Sequence, residues 1–282
     1  MIEHPSYWTH VFTKLSKNKI AWLSGGLLTV ILLSAFFAPL ILSTDPYRGA
    51  MLNRLNPVLT SGHLLGTDEL GRDMLTRLIY GGRISILLGM APVILAFIIG
   101  SCIGLIAGFM GGKINMLIMR TMDVFYAFPS VLLAVSISGA LGPGIVNSLL
   151  ALTIVFIPQI VRVCESSTTQ VRQLDFVSAA KMSGASTYSI IRVHVFPNII
   201  GPVFVYTTSL FSVSMILGSG LSFLGLGIKP PEPEWGLMLN TLRPALYTHP
   251  GLAVLPGLFI FITSISFNLL SDCFNTAMDI KK

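Results

Sequence analysis

Six stretches of this chain are each long and apolar enough to cross the roughly 30 Å hydrocarbon core of a bilayer as a helix. They run Ile20–Leu42, Ile84–Met110, Ile114–Leu141, Gly144–Val163, Ile199–Ile228 and Gly251–Leu270. Inside lipid every backbone N–H and C=O needs a partner within the protein, and an apolar run of about 20 residues meets that demand as a helix. The expected fold is therefore an all-α polytopic membrane protein with six transmembrane helices. Only 11% of the 282 residues are charged, against about 25% in soluble domains, which argues against the soluble enzyme classes. The formal charge of +6 is read as lysine and arginine that set topology, with no nucleic-acid partner.

The third run is the least regular. It carries Arg120 and Asp123 near its start and Pro129 further in, while Pro158 and Pro256 interrupt the fourth and sixth. Such prolines mark packing kinks or bends beside a path, and neighbouring groups must satisfy the carbonyls they free. The first run is too long for the apolar core of a cleavable signal and has no small-x-small exit site, so it reads as a retained signal anchor. Cys102, Cys164 and Cys273 lie far apart without disulfide or metal spacing and are expected to be buried spectators.

Basic residues set the orientation. With the N-terminus inside, eleven of the 18 fall on inner segments, including Lys281 and Lys282, and seven on outer ones; the 12 acids divide evenly. Both termini are then cytoplasmic. The organisation is a tail at 1–19, a first anchor at 20–42, an extracytoplasmic loop at 43–83, a transmembrane core at 84–274 containing a cytoplasmic loop at 164–198, and a tail at 275–282. A second outer loop, 229–250, opens with Lys229-Pro-Pro-Glu-Pro-Glu-Trp-Gly236, whose prolines predict a stiff, extended start.

The inner loop is a polar island between greasy runs. Asp175 is placed to cap a helix, Phe176, Ala179, Ala180 and Ser183 share a face, and Gly184 can take the left-handed geometry that ends it. Ser186 can cap a second short helix, and Pro197 closes the element at the membrane. Two short helices around a glycine have the shape of a docking element for a soluble partner; a solvated amphipathic loop is the alternative.

A second constellation follows the first span: His63-Leu-Leu-Gly-Thr-Asp-Glu-Leu-Gly-Arg-Asp-Met-Leu-Thr-Arg77, then Gly81-Gly-Arg-Ile-Ser85. Gly66 and Gly71 permit tight turns, and Asp68, Arg72, Asp73, Arg77 and Arg83 are spaced for ion pairs and caps. No base, nucleophile or metal-ligand partner accompanies these acids, so they read as bracing rather than catalysis. His63 and His249 stand alone on outer loops and read as isolated surface histidines. Arg120 and Asp123, three apart on a helix, can pair. Glycines 218, 220, 225 and 227 in Gly218-Ser-Gly-Leu-Ser-Phe-Leu-Gly-Leu-Gly227 are expected to let backbones approach.

These segments carry a resemblance. Ser178-Ala-Ala-Lys-Met-Ser-Gly184 followed by His194-Val-Phe-Pro-Asn198 resembles the Glu-Ala-Ala–x3–Gly–x9–Ile–x–Leu–Pro signature of ABC-importer permeases, departing from it at Ser178, His194 and Phe196. The second constellation, with Thr76 at a usual serine, and Leu221–Gly227 with Pro230–Gly236, are similar to the dipeptide/oligopeptide/nickel branch of that family, as is Arg120 through Pro129. The resemblance covers roughly 60–275 and implies the C-type subunit with a type I importer fold. It further implies a heterodimer with a homologous permease, two cytoplasmic ATP-binding subunits, an extracytoplasmic solute-binding protein, and a place in the bacterial plasma (inner) membrane. It places Ser178, Ala179, Ala180, Gly184, Ala185, Ser186, His194 and Pro197 in an ATPase-coupling loop. Gly66, Thr67, Asp68, Gly71, Arg72, Asp73, Arg77 and Arg83 form the structural motif after the first span. No cofactor is expected on the chain itself; ATP and Mg would sit on the partner subunits, since the sequence has no Gly-x4-Gly-Lys-Ser/Thr loop. The implied cargo is a di- or oligopeptide or a nickel or metal-chelate complex, moved by alternating access. The competing class, an ion-coupled secondary transporter, needs ionisable groups within the spans, where this chain offers little beyond edge charges.

Overall fold

The structure, a computed structural model, describes residues 13–278, so Lys281 and Lys282 lie outside the described residues. The first span is α1, Lys19–Phe36, whose start is capped by the Asn18 side chain accepting from the Ile20 and Ala21 N–H groups. A four-residue helical turn, Ala38–Ile41, follows. Then come α2, Met74–Met110; α3, Gly112–Tyr126; α4, Ser130–Leu141; and α5, Ile145–Arg172. Two short helices, α6 at Asp175–Met182 and α7 at Thr187–Ile190, lead through a π-helical turn at Ile191–Val195 into α8, Phe196–Phe223. The chain finishes with α9, Trp235–Leu242, and α10, Pro250–Met278. Among the described residues there is no sheet, only two isolated bridges within 60–73.

Four helical segments, α1, α2, α5 and α10, and the continuous run from α7 through α8 are each long and apolar enough to cross a membrane. The sixth crossing is the broken pair α3–α4, which bends by 87° at Ala127–Pro129. Pro129 causes the break: it has no N–H to continue the ladder and drives the preceding residue out of the helical region. Several boundaries differ from expectation; α10, for one, runs eight residues past Leu270 to Met278. α2 begins at Met74 rather than 84, so the loop after the first span ends at 73. Its 37 residues span about 55 Å, more than the hydrocarbon core needs, so part of the helix stands outside it. α5 likewise runs nine residues past Val163, to Arg172. A polar stretch continues a helix when its own backbone bonds and one packed face support it, which hydropathy alone does not reveal.

The α2–α5 pair forms the centre of the bundle, with α8 packed on both, α10 on α8, and α1 against α10 and α2. Gly100, Gly104 and Gly108 make the central contact close. A Cβ added at Gly104 would lie 2.6 Å from the Val161 carbonyl oxygen and 2.7 Å from Cys164 Cβ; one at Gly108 would lie 2.7 Å from the Glu165 oxygen. This four-residue repeat of glycine is a packing seam of the kind that lipid-embedded helices use, where close backbone approach substitutes for a hydrophobic driving force. Of the four glycines at 218–227, Gly218 does meet α2, with Leu88 Cβ 3.3 Å from its would-be Cβ, and Gly227 lies against Ser222, whose Cα would be 2.6 Å from a Cβ there, but Gly220 faces open space and Gly225 serves a left-handed turn.

Besides a small cluster of Leu88, Ile228 and Leu237, two large apolar clusters divide the core. One, with Val93, Leu152, Phe156 and Ile160, continues into Val177, Ile190 and Val195 of the segment between α5 and α8. The other gathers Met74, Leu78, Met215, Trp235 and Leu252 at the opposite end. Cys164 and Cys273 are buried as expected, but Cys102 is exposed on α2; the four-residue glycine seam turns positions 100 and 104 toward α5 and leaves 102 on another face. Asn18 Nδ2 lies 3.4 Å from Cys273 Sγ, and Met278 reaches the start of α8 at Gly201. The start of α1, the end of α10 and the α6–α7 connection therefore share one end of the bundle.

Candidate functional site

At the opposite end the constellation after the first span closes into one network. Asp68 accepts from the Leu70 and Arg72 N–H groups at 2.9 Å and from Arg72 Nε at 2.6 Å. Arg77 Nε stands 3.2 Å from the same carboxylate, in ion-pair range but not aligned as a hydrogen bond. All three side chains are at least 95% buried. Arg72 also reaches Glu69 at 2.9 Å. Arg77 donates to the Pro46 carbonyl at 2.8 Å and the Pro231 carbonyl at 3.3 Å. Asp73 caps α2, accepting from the Thr76 N–H at 2.8 Å and hydroxyl at 2.7 Å. Thr67 donates its hydroxyl to the Asn53 carbonyl and accepts from the Asn56 N–H. Gly66 and Gly71 both take positive φ, +76° and +73°. Arg83 donates to the Ala35 and Phe36 carbonyls at 2.6 Å each, satisfying the end of α1. The group ties the first span, the loop that follows it, the α2 start and the 229–236 turn together. His63 is not isolated: its Nδ1 lies 2.9 Å from Asp73 Oδ1, because the turn at Gly66 folds the loop back on the cap. His249 is half-buried, with its Nδ1 3.0 Å from the Thr248 hydroxyl.

Asp68→Asn would leave Arg77 buried with only two carbonyl acceptors. Breaking a buried pair from one side costs about 3–5 kcal/mol, so thermal unfolding in detergent should fall sharply, with the 43–73 loop becoming the first site of protease cleavage.

The 229–236 segment is not extended throughout: Pro230–Pro231 is cis and the chain turns before α9. Two residues there were not picked out from sequence. Trp235 is fully buried and donates Nε1–H to the Leu78 carbonyl at 2.7 Å. Glu234, also fully buried, caps α9 by accepting from the Gly236 and Leu237 N–H groups at 2.9 and 2.7 Å and contacts Ser85 Oγ at 3.2 Å. The signal was present, since an acid directly before an apolar run is a helix-start pattern. Burial pushes the Glu234 carboxyl above the ordinary carboxylate range, against the lowering effect of those backbone donors. A raised folded-state value means stabilisation that is complete below the unfolded pKa, about 4.3, and is lost as pH rises through the folded value. Glu234→Gln removes the ionisation. Its melting temperature should therefore rise relative to the parent's between pH 4 and pH 8.

At the other end, α6 and α7 form the island. Leu174, not Asp175, occupies the α6 cap position; Asp175 lies in the first turn and makes no side-chain capping bond. Its charge still faces the positive end of the helix. α6 ends in a Schellman turn: the Ala185 N–H bonds the Ala180 carbonyl, the Gly184 N–H bonds the Lys181 carbonyl, and Gly184 has φ +80°. Ser186 caps α7 by accepting from the Ser189 N–H at 3.2 Å. Pro197 does not close the element. The helix runs on through the π turn, where the Phe196 N–H bonds the Ile191 carbonyl, so the bonding register shifts just ahead of the proline.

The island has two sides. Val177 and Ile190 are buried, and Ala180 and Ala185 pack against the same core cluster; His194 rests against the Phe176 ring at 6.1 Å. Ala180 therefore faces inward, not with Ala179 on an outer face. Ser178, Ala179, Gly184, Ser186 and Pro197 are exposed. Beside them stand Met182 at 86% and Tyr188 at 71% exposure. Arg172 donates to the Phe109 carbonyl at 2.8 Å and Lys181 lies 5.5 Å from the Phe109 ring, joining the island to the end of α2. Among the described residues no cluster of His, Cys, Asp or Glu could hold a metal ion.

Comparison with known proteins places this geometry. A family profile described as "Binding-protein-dependent transport system inner membrane component" matches residues 100–281, and one for the N-terminal transmembrane domain of oligopeptide transport permease C matches 6–57. The chain is 39% identical to a dipeptide transport system permease protein of Alkalihalophilus pseudofirmus, over 98% of this chain and 90% of that one. It is 40% identical to a di/tripeptide transport system permease protein of Pseudomonas aeruginosa, over 99% and 93%. A glutathione transport system permease protein of Pectobacterium atrosepticum is 35% identical over 97% and 91%. The fold is similar to that in a solved inward-facing structure of the MetNI methionine ABC transporter, with TM-score 0.60 and 15% identity, covering 73% of this chain and 98% of that one.

Proposed function

This chain belongs to the family of binding-protein-dependent transport system inner membrane components, the permease subunits of ABC importers, and from that premise we propose that it carries short peptides inward as one half of a permease pair. Two partner ATPases supply the energy, with ATP and Mg held on them and no cofactor on this chain. An extracytoplasmic binding protein delivers the peptide. An orientation with both termini and the α6–α7 island in the cytoplasm is supported by the basic bias of the segments on that side. The observation that carries the reading is the island itself, with one side continuous with the bundle core and the other bare, presenting Met182 and Tyr188. A partner that presses on the bare side moves the buried side with it. ATP closure of the ATPases would thus turn the bundle outward, and hydrolysis would return it. Peptide cargo is supported by the relatives of 39 and 40% identity, both named as peptide permeases.

The test is dipeptide uptake into proteoliposomes holding both permeases, the ATPases and the binding protein. Uptake should require ATP and the binding protein together. Accumulation driven by an ion gradient with the ATPases absent would overturn the proposal.

A further inference from the structure

The broken third span encloses a cavity of about 170 Å3 at its elbow, and the geometry points to this cavity as a peptide-binding subsite on the translocation path, with an ion pair across its mouth. The inference rests on the peptide reading above for its ligand and on the following observations for its place.

The cavity is amphipathic. Three rings, Phe125, Tyr126 and Phe128, line it with Ser130, Pro158 and the Gln159 carboxamide. It has room for about five waters, or for one residue of an extended peptide. Pro158 has no N–H, so the helix ladder is interrupted where α5 forms this wall. Tyr206 from α8 donates its hydroxyl to Gln159 Oε1 at 3.4 Å, which leaves the carboxamide N–H groups as donors. A wall of flat rings with the Gln159 carboxamide and the Ser130 hydroxyl beside them suits a peptide backbone, which needs apolar contact and hydrogen-bonding groups.

Three residues before Tyr126 on α3, Asp123 Oδ1 lies 2.6 Å from Arg162 Nη2 on α5, one turn beyond Gln159. Arg120 stands 3.6 Å from the other oxygen. The Arg162 guanidinium lies over the Tyr126 ring, 4.3 Å from its centre, so it turns across the elbow rather than out along its own helix. Asp123 and Arg162 are 42% and 47% exposed. The outward residues of α2 alongside α5, Ile94, Leu95, Ile98, Ile99, Cys102 and Ile106, carry no charge, whereas the elbow combines exposed Val124, Phe128, Val131 and Leu132 with the ion pair. A half-exposed ion pair and an amide cannot rest against hydrocarbon at the cost of the alkyl row on α2; charged groups in a span face a bundle interior or a water-filled route. The side of the elbow that carries the pair is therefore the one that meets water, and the outward face of α2 the one that meets lipid. A short peptide brings an ammonium and a carboxylate. Asp123 and Arg162 offer each its opposite, so the cargo opens the pair by exchange instead of leaving either charge bare.

The assembled transporter tests this with a membrane-impermeant maleimide. Gln159→Cys should label at least tenfold faster than Ile98→Cys, and a transported dipeptide at saturation should slow that labelling at least threefold during turnover. Labelling of Gln159→Cys no faster than Ile98→Cys overturns the path assignment. Fast labelling that is indifferent to a dipeptide the same vesicles accumulate overturns the peptide subsite. If the vesicles accumulate no dipeptide, the peptide reading fails on uptake alone, and the labelling ratio still decides whether the cavity lies on the path. Exchanging the pair, Asp123→Arg with Arg162→Asp, keeps a brace but reverses its polarity. Uptake should stay below a tenth of the parent's with ATP hydrolysis retained, and recovery of uptake would show that the pair is only a brace.

Discussion

Gly104→Leu should abolish the folded permease. The Cβ alone would stand 2.6 Å from the Val161 carbonyl oxygen and 2.7 Å from Cys164 Cβ, and both atoms belong to a helix interior that cannot shift locally. The remaining leucine atoms would drive α2 and α5 apart along the seam that also holds Gly100 and Gly108. Over-packing usually costs about 1–3 kcal/mol; here the loss spreads along the most extensive helix pair in the bundle and should reach or exceed the top of that range. Fluorescence-detected size-exclusion chromatography should show no monodisperse peak. Gly220→Leu is the control, because no heavy atom lies within 4 Å of its Cβ position; its peak should match the parent's. A monodisperse Gly104→Leu protein with the parent's melting temperature would mean that α2 and α5 do not meet as described.

Gly184→Arg should have an equally large effect, on assembly instead of folding. The left-handed residue at φ +80° costs a side chain roughly 1 kcal/mol, too little to undo a connection held by Val177, Ile190 and the Arg172–Phe109 bond. The space beyond Gly184 is open, so the permease accommodates the arginine and a docked ATPase does not. Membrane insertion and melting should stay near the parent's, and co-purification of the ATPases should fall at least ~100-fold, equivalent to about 2.7 kcal/mol. Gly184→Ala separates strain from obstruction and should retain most of the association. Undiminished association of the arginine variant would remove the island from the docking surface.

The two variants differ in how readable their sites were. The Gly184 turn follows from local rules: a glycine after eight helix-forming residues, with Ser186 next in place to cap, specifies a Schellman end and a new start over a few residues. Gly100, Gly104 and Gly108 were equally visible as a four-residue repeat. Their partner, however, lies more than 50 residues away on α5, and the repeat alone does not say which helix it admits. The same division runs through the outer network. The spacing of Asp68, Arg72 and Asp73 announces turns and caps, whereas the contacts of Arg77 with Pro46 and Pro231, and of Arg83 with Ala35 and Phe36, join segments distant in the chain. Glu234 and Trp235 were passed over because an acid and a tryptophan in a proline-rich loop look solvent-facing until α2 and α8 close over them.

By itself, then, the order of residues determined the number of crossings, the helical class, the two-helix island with its glycine turn and the family to which the chain belongs. Each of these follows from short-range periodicity, capping chemistry or contiguous motifs, all of which act within about one or two helical turns. The tertiary structure alone decided which faces are shared. It chose α5 as the partner of the glycine seam, turned Ala180 inward and Ala179 outward, bent the third span by 87° and brought Asp123 to Arg162. The physical reason is that packing is a property of pairs of surfaces. A residue's own sequence neighbourhood sets the helix it sits on, but only the helix that arrives opposite sets what that residue does.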